Sequence, residues 1–344
     1  MIDEHLKDTK VRSNITRPRL GFLGVGWIGL NRMQAIAAAN IADIVAVADL
    51  FEENRKKAVE ALPDVIALAS TEDLFDHDLD GIVIATPSAL HAEQSIQMLE
   101  RGYAVFCQKP LGRNAAETRR VVEAAEKADK LLGVDLSYRY TAAMQSLERI
   151  IKNGELGEIY AVNLVFHNAY GPDKAWFYDP MLAGGGCVID LGIHLIDLAL
   201  WMLNFPGVQQ VTSSLYSKGK PLVDRFTAVE DYATAQIRLD NGTTLQLACS
   251  WHLPAGVDAM IEASFYGTQG GAAFRNINGS FYDFTAERFN GTERQMLTQP
   301  PDQWGGRAAV DWVQRLAEGA AFDPEARRLI EVAGVLDAIY ESVV

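Results

Sequence analysis

The sequence predicts an α/β protein that begins with a parallel sheet covered by helices on both faces. From Leu20 onward, short runs that are apolar throughout alternate with helical segments, and such strands are typical of sheets buried on both sides. After about Leu136 the strands become longer, and several alternate polar with apolar residues, which indicates a second sheet of a different kind. The chain has 344 residues, a length that suggests two domains.

The N-terminal domain is predicted from six strands and four helices. Short apolar runs predict the strands, at Leu20–Val25, Ile44–Ala48, Val65–Ala69, Gly81–Ala85, Tyr103–Cys107 and Leu131–Val134. The segments between them predict the helices, at Trp27–Ala39, Glu52–Leu62, Ala89–Arg101 and Ala115–Lys130. We place this domain at residues 19–137, after a polar, aperiodic N-terminal arm at residues 1–18.

Residues 138–344 are predicted to form a second domain around a sheet built largely of hairpins. Its predicted strands are Glu158–His167, Val208–Ser217, Tyr232–Leu239, Thr243–Trp251 and Ala259–Tyr266. The turn Asp240-Asn241-Gly242 between two of them is a hairpin signal. Two helices follow, at Gly305–Gly319 and Pro324–Val344. One face of this sheet is expected to be covered and the other to be available for an interface.

Composition and charge narrow the class of ligand. With 31 basic and 45 acidic residues the formal net charge is −14, which argues against nucleic acid and anionic membranes as partners. No secretory signal and no apolar stretch long enough to span a bilayer is expected. The three cysteines, Cys107, Cys187 and Cys249, fit neither a disulfide framework nor a structural zinc site, which favours a reducing, cytoplasmic location. The chain is therefore expected to act on a small molecule.

The motif Gly24-x-Gly26-Trp27-Ile28-Gly29 follows a predicted strand and opens a predicted helix. In this context the first glycine permits a tight turn, the second lets a pyrophosphate approach the backbone, and the third allows close packing of helix and strand. Asp49 ends the next strand, where a carboxylate can bind the ribose of an adenosine. Together they predict a dinucleotide site, whereas a purely structural turn beside a loop aspartate is the competing interpretation.

The residues around Asp49 favour NAD over NADP. A carboxylate at this position repels a 2′-phosphate, and Leu50-Phe51 supply no compensating cation. Arg55, Lys56 and Lys57 follow closely in sequence, so NADP stays open as the alternative.

Two further strand ends belong to the same predicted rim. Thr86-Pro87 follows the fourth strand, and Gln108-Lys109 follows the fifth. Because ligands bind beyond the carboxyl ends of parallel strands, these residues are expected to line the cofactor site. Lys109 at this rim is a candidate for chemistry rather than an ordinary surface lysine.

The second domain contains the motif Asp190-x-Gly192-x-His194-x-x-Asp197 at the start of an apolar helical pattern. On a helix these three polar side chains share one face, so Asp190 could orient His194 or stabilise its protonated form. A helix cap with a core histidine is the competing interpretation. No metal is predicted, because no H-E-x-x-H or other cluster has ligand spacing, and no G-x-S-x-G elbow suggests a serine hydrolase.

Taken together, these motifs resemble the glucose–fructose oxidoreductase, inositol dehydrogenase and rhizopine-catabolism (Gfo/Idh/MocA) oxidoreductases. The resemblance runs from about Leu20 to the C-terminus, on the glycine turn, Thr86-Pro87, Lys109-Pro110, Gly184-Gly185-Gly186 and the Asp190–Asp197 motif. It implies a Rossmann domain, a C-terminal α/β domain with a large, mostly antiparallel sheet, and homodimers or homotetramers formed through that sheet.

The resemblance also implies a reaction, the interconversion of a secondary alcohol and a ketone on a sugar, cyclitol or related polyol by hydride transfer with NAD(P). Lys109, Asp190 and His194 would form the catalytic group: His194 takes the hydroxyl proton, Lys109 hydrogen-bonds the same oxygen, and Asp190 orients these two and balances their charge. The family motif usually reads Glu-Lys-Pro, whereas this chain has Gln108, which removes a negative charge beside Lys109.

Residues near the domain junction are candidates for contacts with a sugar ring. Arg139 and Tyr140 follow the sixth strand, while His167, Asn168 and Trp176 follow the first strand of the second domain. Two other functions remain open on the same motifs. One is an NAD-dependent glycosidase, in which transient oxidation activates elimination, and the other is a non-catalytic dinucleotide-sensing regulator.

Overall fold

The first sheet of the computed structural model, which describes residues 17–342, is parallel throughout and has the strand order β3-β2-β1-β4-β5-β6. Its strands are β1 (Arg19–Leu23), β2 (Asp43–Ala48), β3 (Ile66–Leu68), β4 (Gly81–Ile84), β5 (Ala104–Cys107) and β6 (Leu132–Val134). Helices α1 (Trp27–Ala39), α2 (Glu52–Ala61), α3 (Ser88–Glu100) and α4 (Ala115–Ala128) connect them. The order reverses between β1 and β4, and this reversal opens a crevice at the carboxyl ends of the strands.

The second sheet has nine strands in the order β15-β14-β13-β12-β7-β11-β10-β8-β9. They are β7 (Ile159–Asn168), β8 (Val208–Ser217), β9 (Lys220–Pro221), β10 (Tyr232–Leu239), β11 (Thr244–Ser250), β12 (Ala259–Gly267), β13 (Gly271–Asn276), β14 (Phe284–Asn290) and β15 (Glu293–Thr298). Only the central pair, β7 and β11, is parallel among these strands. The α/β class with a parallel and a mostly antiparallel sheet is thus confirmed, and the predicted hairpin turn ends at Gly242 with a φ of 87°.

The helices of the second half are α5 (Ala142–Lys152), α6 (Pro180–Ala183), α7 (Ile193–Met202), α8 (Arg307–Ala317) and α9 (Arg328–Glu341). Helix α7 is buried against the second sheet, where Leu195 and Ile196 join the core formed with Leu164 and Phe166 of β7. Helix α8 instead packs on the parallel sheet, where Trp312 lies against Phe106 at 5.7 Å between ring centroids. The domain boundary near residue 137 stays a prediction. Helix α8 follows this boundary in sequence but packs against the first sheet.

The helical stretch Pro180–Met202 is 23 residues long, long and apolar enough to cross a membrane by length and composition alone. The expectation that no stretch reaches this length is therefore wrong. Because 78% of its apolar window is buried inside the protein, we describe it as a core element of the second domain.

Several elements are absent from the sequence-based prediction. Helix α5 and strands β13, β14 and β15 were not expected, and the C-terminal helix begins with a short 3₁₀ turn at Pro324–Arg327. Strand β13 is rich in glycine and alanine, and β15 is exposed along most of its length, so neither shows a clear apolar alternation. The predicted arm at residues 1–18 lies outside the described residues except for Arg17 and Pro18.

Candidate active site

A cleft of about 1530 Å³ lies between the two sheets, at the carboxyl ends of β1, β2, β4, β5 and β6. Most of the site residues predicted from sequence line it. They are Gly24, Gly26, Trp27, Ile28, Asp49, Thr86, Pro87, Gln108, Lys109, Trp176, Asp190 and His194. The rim of the first domain and the polar motif of the second domain therefore face one space.

The glycine turn has the geometry that a pyrophosphate needs. Gly24 has a φ of +85°, and a Cβ there would lie 2.7 Å from the carbonyl oxygen of Ala85. A Cβ on Gly29 would lie 2.2 Å from the carbonyl oxygen of Gly24, so this glycine lets helix and turn pack closely. Gly26 is open, and no side chain caps the N-terminus of α1 there. The uncapped amides of the first turn can therefore bind an anionic group.

Asp49 is held at the end of β2 by several hydrogen bonds. Its Oδ2 accepts from the backbone amide of Val25 at 2.8 Å, and its Oδ1 accepts from the amide of Phe51 at 2.9 Å. The side chain of Asn54 donates to both oxygens. These bonds fix the carboxylate beside the glycine turn, the position that the ribose of a dinucleotide requires.

Arg55, Lys56 and Lys57, the basic residues near Asp49 that could have bound a 2′-phosphate of NADP, contact other groups of the protein. Lys56 pairs with Glu52 at 2.9 Å, and Lys57 pairs with Glu53 at 3.4 Å. Arg55 donates to the backbone oxygen of Asp49 at 2.6 Å. Among the described residues that line this end of the cleft, the charged ones are Asp49 and Glu53, which are both acidic.

Lys109 and Asp190 meet in the cleft across the domain junction. The Nζ of Lys109 donates to Asp190 Oδ1 and to its backbone oxygen, each at 2.7 Å. Trp251 Nε1 donates to the second carboxylate oxygen at 3.1 Å. An ammonium group has three N–H donors, so one donor of Lys109 remains for a ligand oxygen. The two side chains are 18% and 17% exposed, which keeps them within reach of the cleft.

His194 lies beside this pair and is largely buried. Its ring packs edge-on against Tyr138, with 4.8 Å between centroids, and Nδ1 is buried with no partner among the described residues. Burial lowers the pKa of His194 well below its usual 6.5, and the positive charges of Lys109 and Arg32 lower it further. The imidazole is therefore neutral at pH 7 and able to accept a proton.

The structure corrects the expected role of Asp190 toward His194. The carboxylate is bonded to Lys109 and Trp251, and no hydrogen bond joins it to His194 within the described residues. The reason is local geometry: Asp190 lies in a five-residue π-helical turn, Val188–Gly192, whereas His194 lies in the regular helix α7 that follows it. Asp190 therefore acts directly on the lysine of the candidate group.

A buried carboxylate, that of Glu230, holds the backbone of the segment that carries Asp190. Glu230 accepts hydrogen bonds from the amides of Gly186 and Val188 at 2.9–3.0 Å and from the hydroxyl of Tyr340 at 2.8 Å. A Cβ on Gly186 would lie 1.9 Å from the backbone oxygen of Glu230, and one on Gly185 would lie 2.0 Å from the Tyr340 hydroxyl. The triple glycine thus permits the close approach that places Asp190.

Arg139 and Tyr140 do not line the cleft, so the structure does not bring these two predicted substrate residues to the site. Arg139 forms a two-point ion pair with Asp197, whose carboxylate is buried. The hydroxyl of Tyr140 donates to Asp311 of α8 at 3.0 Å. Asp197 accordingly does not share the site of Asp190 and His194, and it ties α7 to the segment after β6.

His167 and Asn168 do not line the cleft either, so they too are not brought to the predicted site. His167 is on the face of β7 opposite to the core residue Phe166, where its Nδ1 lies 2.8 Å from Ser250 Oγ and its ring stacks on Tyr232. The period of two along the strand places it there. Trp176 does line the cleft, stacked on Phe177 at 3.8 Å between centroids.

Four residues that the sequence analysis missed line the inner end of the cleft. Tyr138 and Trp304 stack at 5.1 Å between centroids, and Arg32 pairs with Asp135 at 2.6 Å. Asp135 and Tyr138 follow β6, so the position beyond a parallel strand could have indicated them. Trp304 comes from a segment with no such signal.

Residues 18–136 match the model for an oxidoreductase family with an NAD-binding Rossmann fold, and residues 144–273 match the GFO/IDH/MocA C-terminal domain. D-glucoside 3-dehydrogenase of Escherichia coli K12 is 29% identical over 271 residues, which is 74% of this chain and 76% of that protein. The rhizopine catabolism protein MocA of Rhizobium meliloti is 28% identical over 296 residues, 81% of this chain and 89% of its own.

Solved structures share the fold over almost the whole chain. Levoglucosan dehydrogenase in complex with NADH superposes with a TM-score of 0.81 at 22% identity, covering 95% of this chain and 97% of the other. GenD2 from gentamicin A biosynthesis, in complex with NAD, has a TM-score of 0.79 at 24% identity and covers 96% and 95%. At this identity the likeness shows the two-domain fold alone.

Proposed function

The chain belongs to the Gfo/Idh/MocA oxidoreductases with an NAD-binding Rossmann domain, and we propose that it oxidises a secondary alcohol of a sugar, cyclitol or related polyol. The observation that carries this proposal is the meeting of Lys109 and neutral His194 in the cleft that also holds the glycine turn. Relatives named D-glucoside 3-dehydrogenase and inositol 2-dehydrogenase support the substrate class.

The residues of the cleft divide the reaction between them. The glycine turn and Asp49 hold the dinucleotide, which accepts a hydride when bound. His194 accepts the proton of the substrate hydroxyl, since its imidazole is neutral before the reaction. The remaining N–H of Lys109 donates to the same oxygen and stabilises the negative charge that develops there. Asp190 fixes Lys109 in place through two bonds.

The walls of the cleft suit an oxygen-rich ring. Trp176, Phe177, Tyr138 and Trp304 offer aromatic surface, and Tyr282 adds a hydroxyl. Aromatic faces cover the apolar side of a ligand, while convergent polar groups fix its orientation. This combination supports a polyol substrate rather than an extended apolar one.

The reaction is tested by a screen of sugars, cyclitols, other polyols and glycosides, following NADH formation. We expect stoichiometric NADH with at least one cyclic polyol. Cleavage of a glycoside without net NADH would instead support an NAD-dependent glycosidase. Binding of NAD with no turnover of any compound would favour a dinucleotide-sensing regulator.

We propose NAD rather than NADP as the cofactor, and Asp49 as the residue that decides. Charges about 5 Å apart repel by roughly 2–3 kcal/mol at intermediate dielectric, so a 2′-phosphate beside Asp49 is expected to weaken binding roughly 30–140-fold. Dissociation constants for NAD and NADP measure this preference, and Asp49→Ser should narrow it mainly by improving NADP binding. Asp64→Ser, on an exposed loop outside the cleft, serves as the matched control. Tighter binding of NADP than of NAD by the unaltered protein would contradict the proposal.

We propose a homo-oligomer that packs through the open face of the nine-stranded sheet. Within the described chain, α5, α7 and α9 pack on this sheet, and α7 covers the face that carries Leu164 and Phe166. The opposite face presents Val165 of β7 and Ala248 of β11 side by side at its centre. Sedimentation velocity should report a dimer or tetramer, and Ala248→Glu should lower the mass without a large loss of thermal stability. A monomer at micromolar concentration would contradict the proposal.

The cytoplasmic location stays a proposal. It is supported by Cys107, Cys187 and Cys249, which are buried and free, even though the sulfurs of Cys187 and Cys249 are only 3.8 Å apart.

A further inference from the structure

A buried group of three polar side chains lies at the inner end of the cleft. Asp135 Oδ2 accepts hydrogen bonds from Arg32 Nε at 2.6 Å and from the side-chain amide of Gln108. The side chains of Arg32 and Asp135 are 6% and 0% exposed, and Gln108 is nearly as buried. All three line the cleft next to Lys109 and His194. The reaction described above assigns them no task.

The bond to Asp135 fixes which way the amide of Gln108 faces. An ionised carboxylate is only an acceptor, so Gln108 must turn its NH₂ group toward it. The carbonyl oxygen, Oε1, then points away from Asp135, and no donor reaches it within the described part of the chain. Gln108 therefore offers an oriented acceptor, and Asp135 is the residue that orients it.

The strand order indicates which part of a dinucleotide meets this acceptor. Asp49 at the end of β2 marks the adenosine half, and the glycine turn after β1 marks the pyrophosphate. The other nucleoside must then extend over β4, β5 and β6, on the far side of β1. Gln108 follows β5 and Asp135 follows β6, so both belong to the nicotinamide half.

The charges of this group are matched. The single carboxylate of Asp135 faces the single guanidinium of Arg32, while Gln108 is neutral. A glutamate at position 108 would bring a second carboxylate into direct contact with Asp135, and two buried carboxylates cannot both ionise without cost. Gln108 and Asp135 therefore form a pair in which each residue type depends on the other.

We propose that Asp135 is a positioning residue that turns Gln108 Oε1 toward the cofactor, where it accepts a hydrogen bond from the carboxamide NH₂ of the nicotinamide ring. This contact fixes the rotation of the ring about its glycosidic bond and so selects the face presented to the substrate. The inference rests on the cofactor part of the proposed function and does not depend on which polyol is oxidised.

The test compares NAD with 3-acetylpyridine adenine dinucleotide, in which a methyl group replaces the carboxamide NH₂ and the carbonyl is kept. Calorimetric dissociation constants need no substrate, so the result is independent of the substrate proposal. The unaltered protein should bind NAD roughly tenfold more tightly than the analogue, a difference that corresponds to the net contribution of one hydrogen bond. Gln108→Leu should abolish this preference, and Asp135→Asn should reduce it, since Gln108 can then turn either way.

A second test exchanges the amide of Gln108 and the carboxylate of Asp135 between the two positions, and it asks whether NAD binding recovers. Gln108→Glu alone should weaken NAD binding at least roughly tenfold, because it sets two carboxylates against each other. The double variant Gln108→Glu/Asp135→Asn keeps the total charge and lets the new amide donate to the new carboxylate. It should recover both the affinity for NAD and the preference over the analogue.

Gln97→Leu is the matched control, since this glutamine lies on α3 and does not line the cleft. It should leave the preference unchanged, and melting temperatures exclude loss of fold as the cause in the other variants. Equal binding of NAD and the analogue by the unaltered protein would overturn the proposal. So would a double variant no better than Gln108→Glu, or variants that change only the substrate KM, which would assign Gln108 to a substrate hydroxyl.

Discussion

Replacing His194 with alanine should lower kcat roughly 10²–10⁴-fold, the usual contribution of a positioned acid–base group, while the dissociation constant for NAD stays near normal. His194 is the proposed base, its ring lines the cleft that also holds Lys109, and it makes no hydrogen bond to the glycine turn or to Asp49 in the described structure. Its loss therefore removes proton transfer and leaves the dinucleotide site intact. Steady-state kinetics on an identified polyol, with calorimetry for NAD, measure both quantities.

The pH profile gives the same prediction a second readout. Burial holds the pKa of His194 below 6.5, and only the neutral ring can accept the proton. For alcohol oxidation, kcat/KM should therefore be constant near neutral pH and fall as the pH drops through that lowered pKa, below pH 6.5. The alanine variant should lose this acid limb.

His167→Ala is the matched control, because this histidine lies on the open face of the second sheet, outside the cleft. It should keep both kcat and the acid limb. Turnover by His194→Ala close to that of the unaltered protein would show that another group takes the proton.

Replacing Lys109 with alanine should lower kcat by roughly 10²–10³-fold, the loss typical of one preorganised donor to a developing oxyanion. Two effects combine. The substrate oxygen loses its cationic donor, and the partly buried carboxylate of Asp190 loses its ion pair partner. An unpaired carboxylate beside the reacting oxygen disfavours the negative charge that develops there. Steady-state kcat on the same polyol measures the loss.

Lys109→Ala should also move the acid limb of the pH profile. The charge of Lys109 is one of the causes that lower the pKa of His194, so its removal should raise that pKa toward 6.5. The fall of kcat/KM should then begin at a higher pH than in the unaltered protein. Lys152→Ala, a surface lysine paired with Glu148, should change neither kcat nor the limb. An unchanged kcat in Lys109→Ala would remove the lysine from the reaction.

Local patterns in the sequence predict much of the fold. Helix α1 occupies the predicted residues Trp27–Ala39, and strands β8 and β10 have the predicted bounds. Helix α1 is rich in alanine and follows the glycine turn, and β10 alternates buried with more exposed residues, so both have clear local signals. Strand β15 was missed because it is exposed along most of its length and shows no apolar alternation. Helix α5 was missed although Thr141 caps its N-terminus and its apolar residues lie on one face, so local signals could have indicated it.

Within the site, sequence motifs predicted the glycine turn, Asp49, Lys109 and His194, and residues of all four line the same cleft. Each belongs to a short motif or follows a parallel strand, and both signals are local in the chain. The family resemblance implied the contact of Asp190 with Lys109, whereas the pairings of Arg139 with Asp197 and of Gln108 with Asp135 became visible in the tertiary structure. Spacing shows which side chains share a helix face, but the partner of a buried charge is decided by what packs against it from distant parts of the chain.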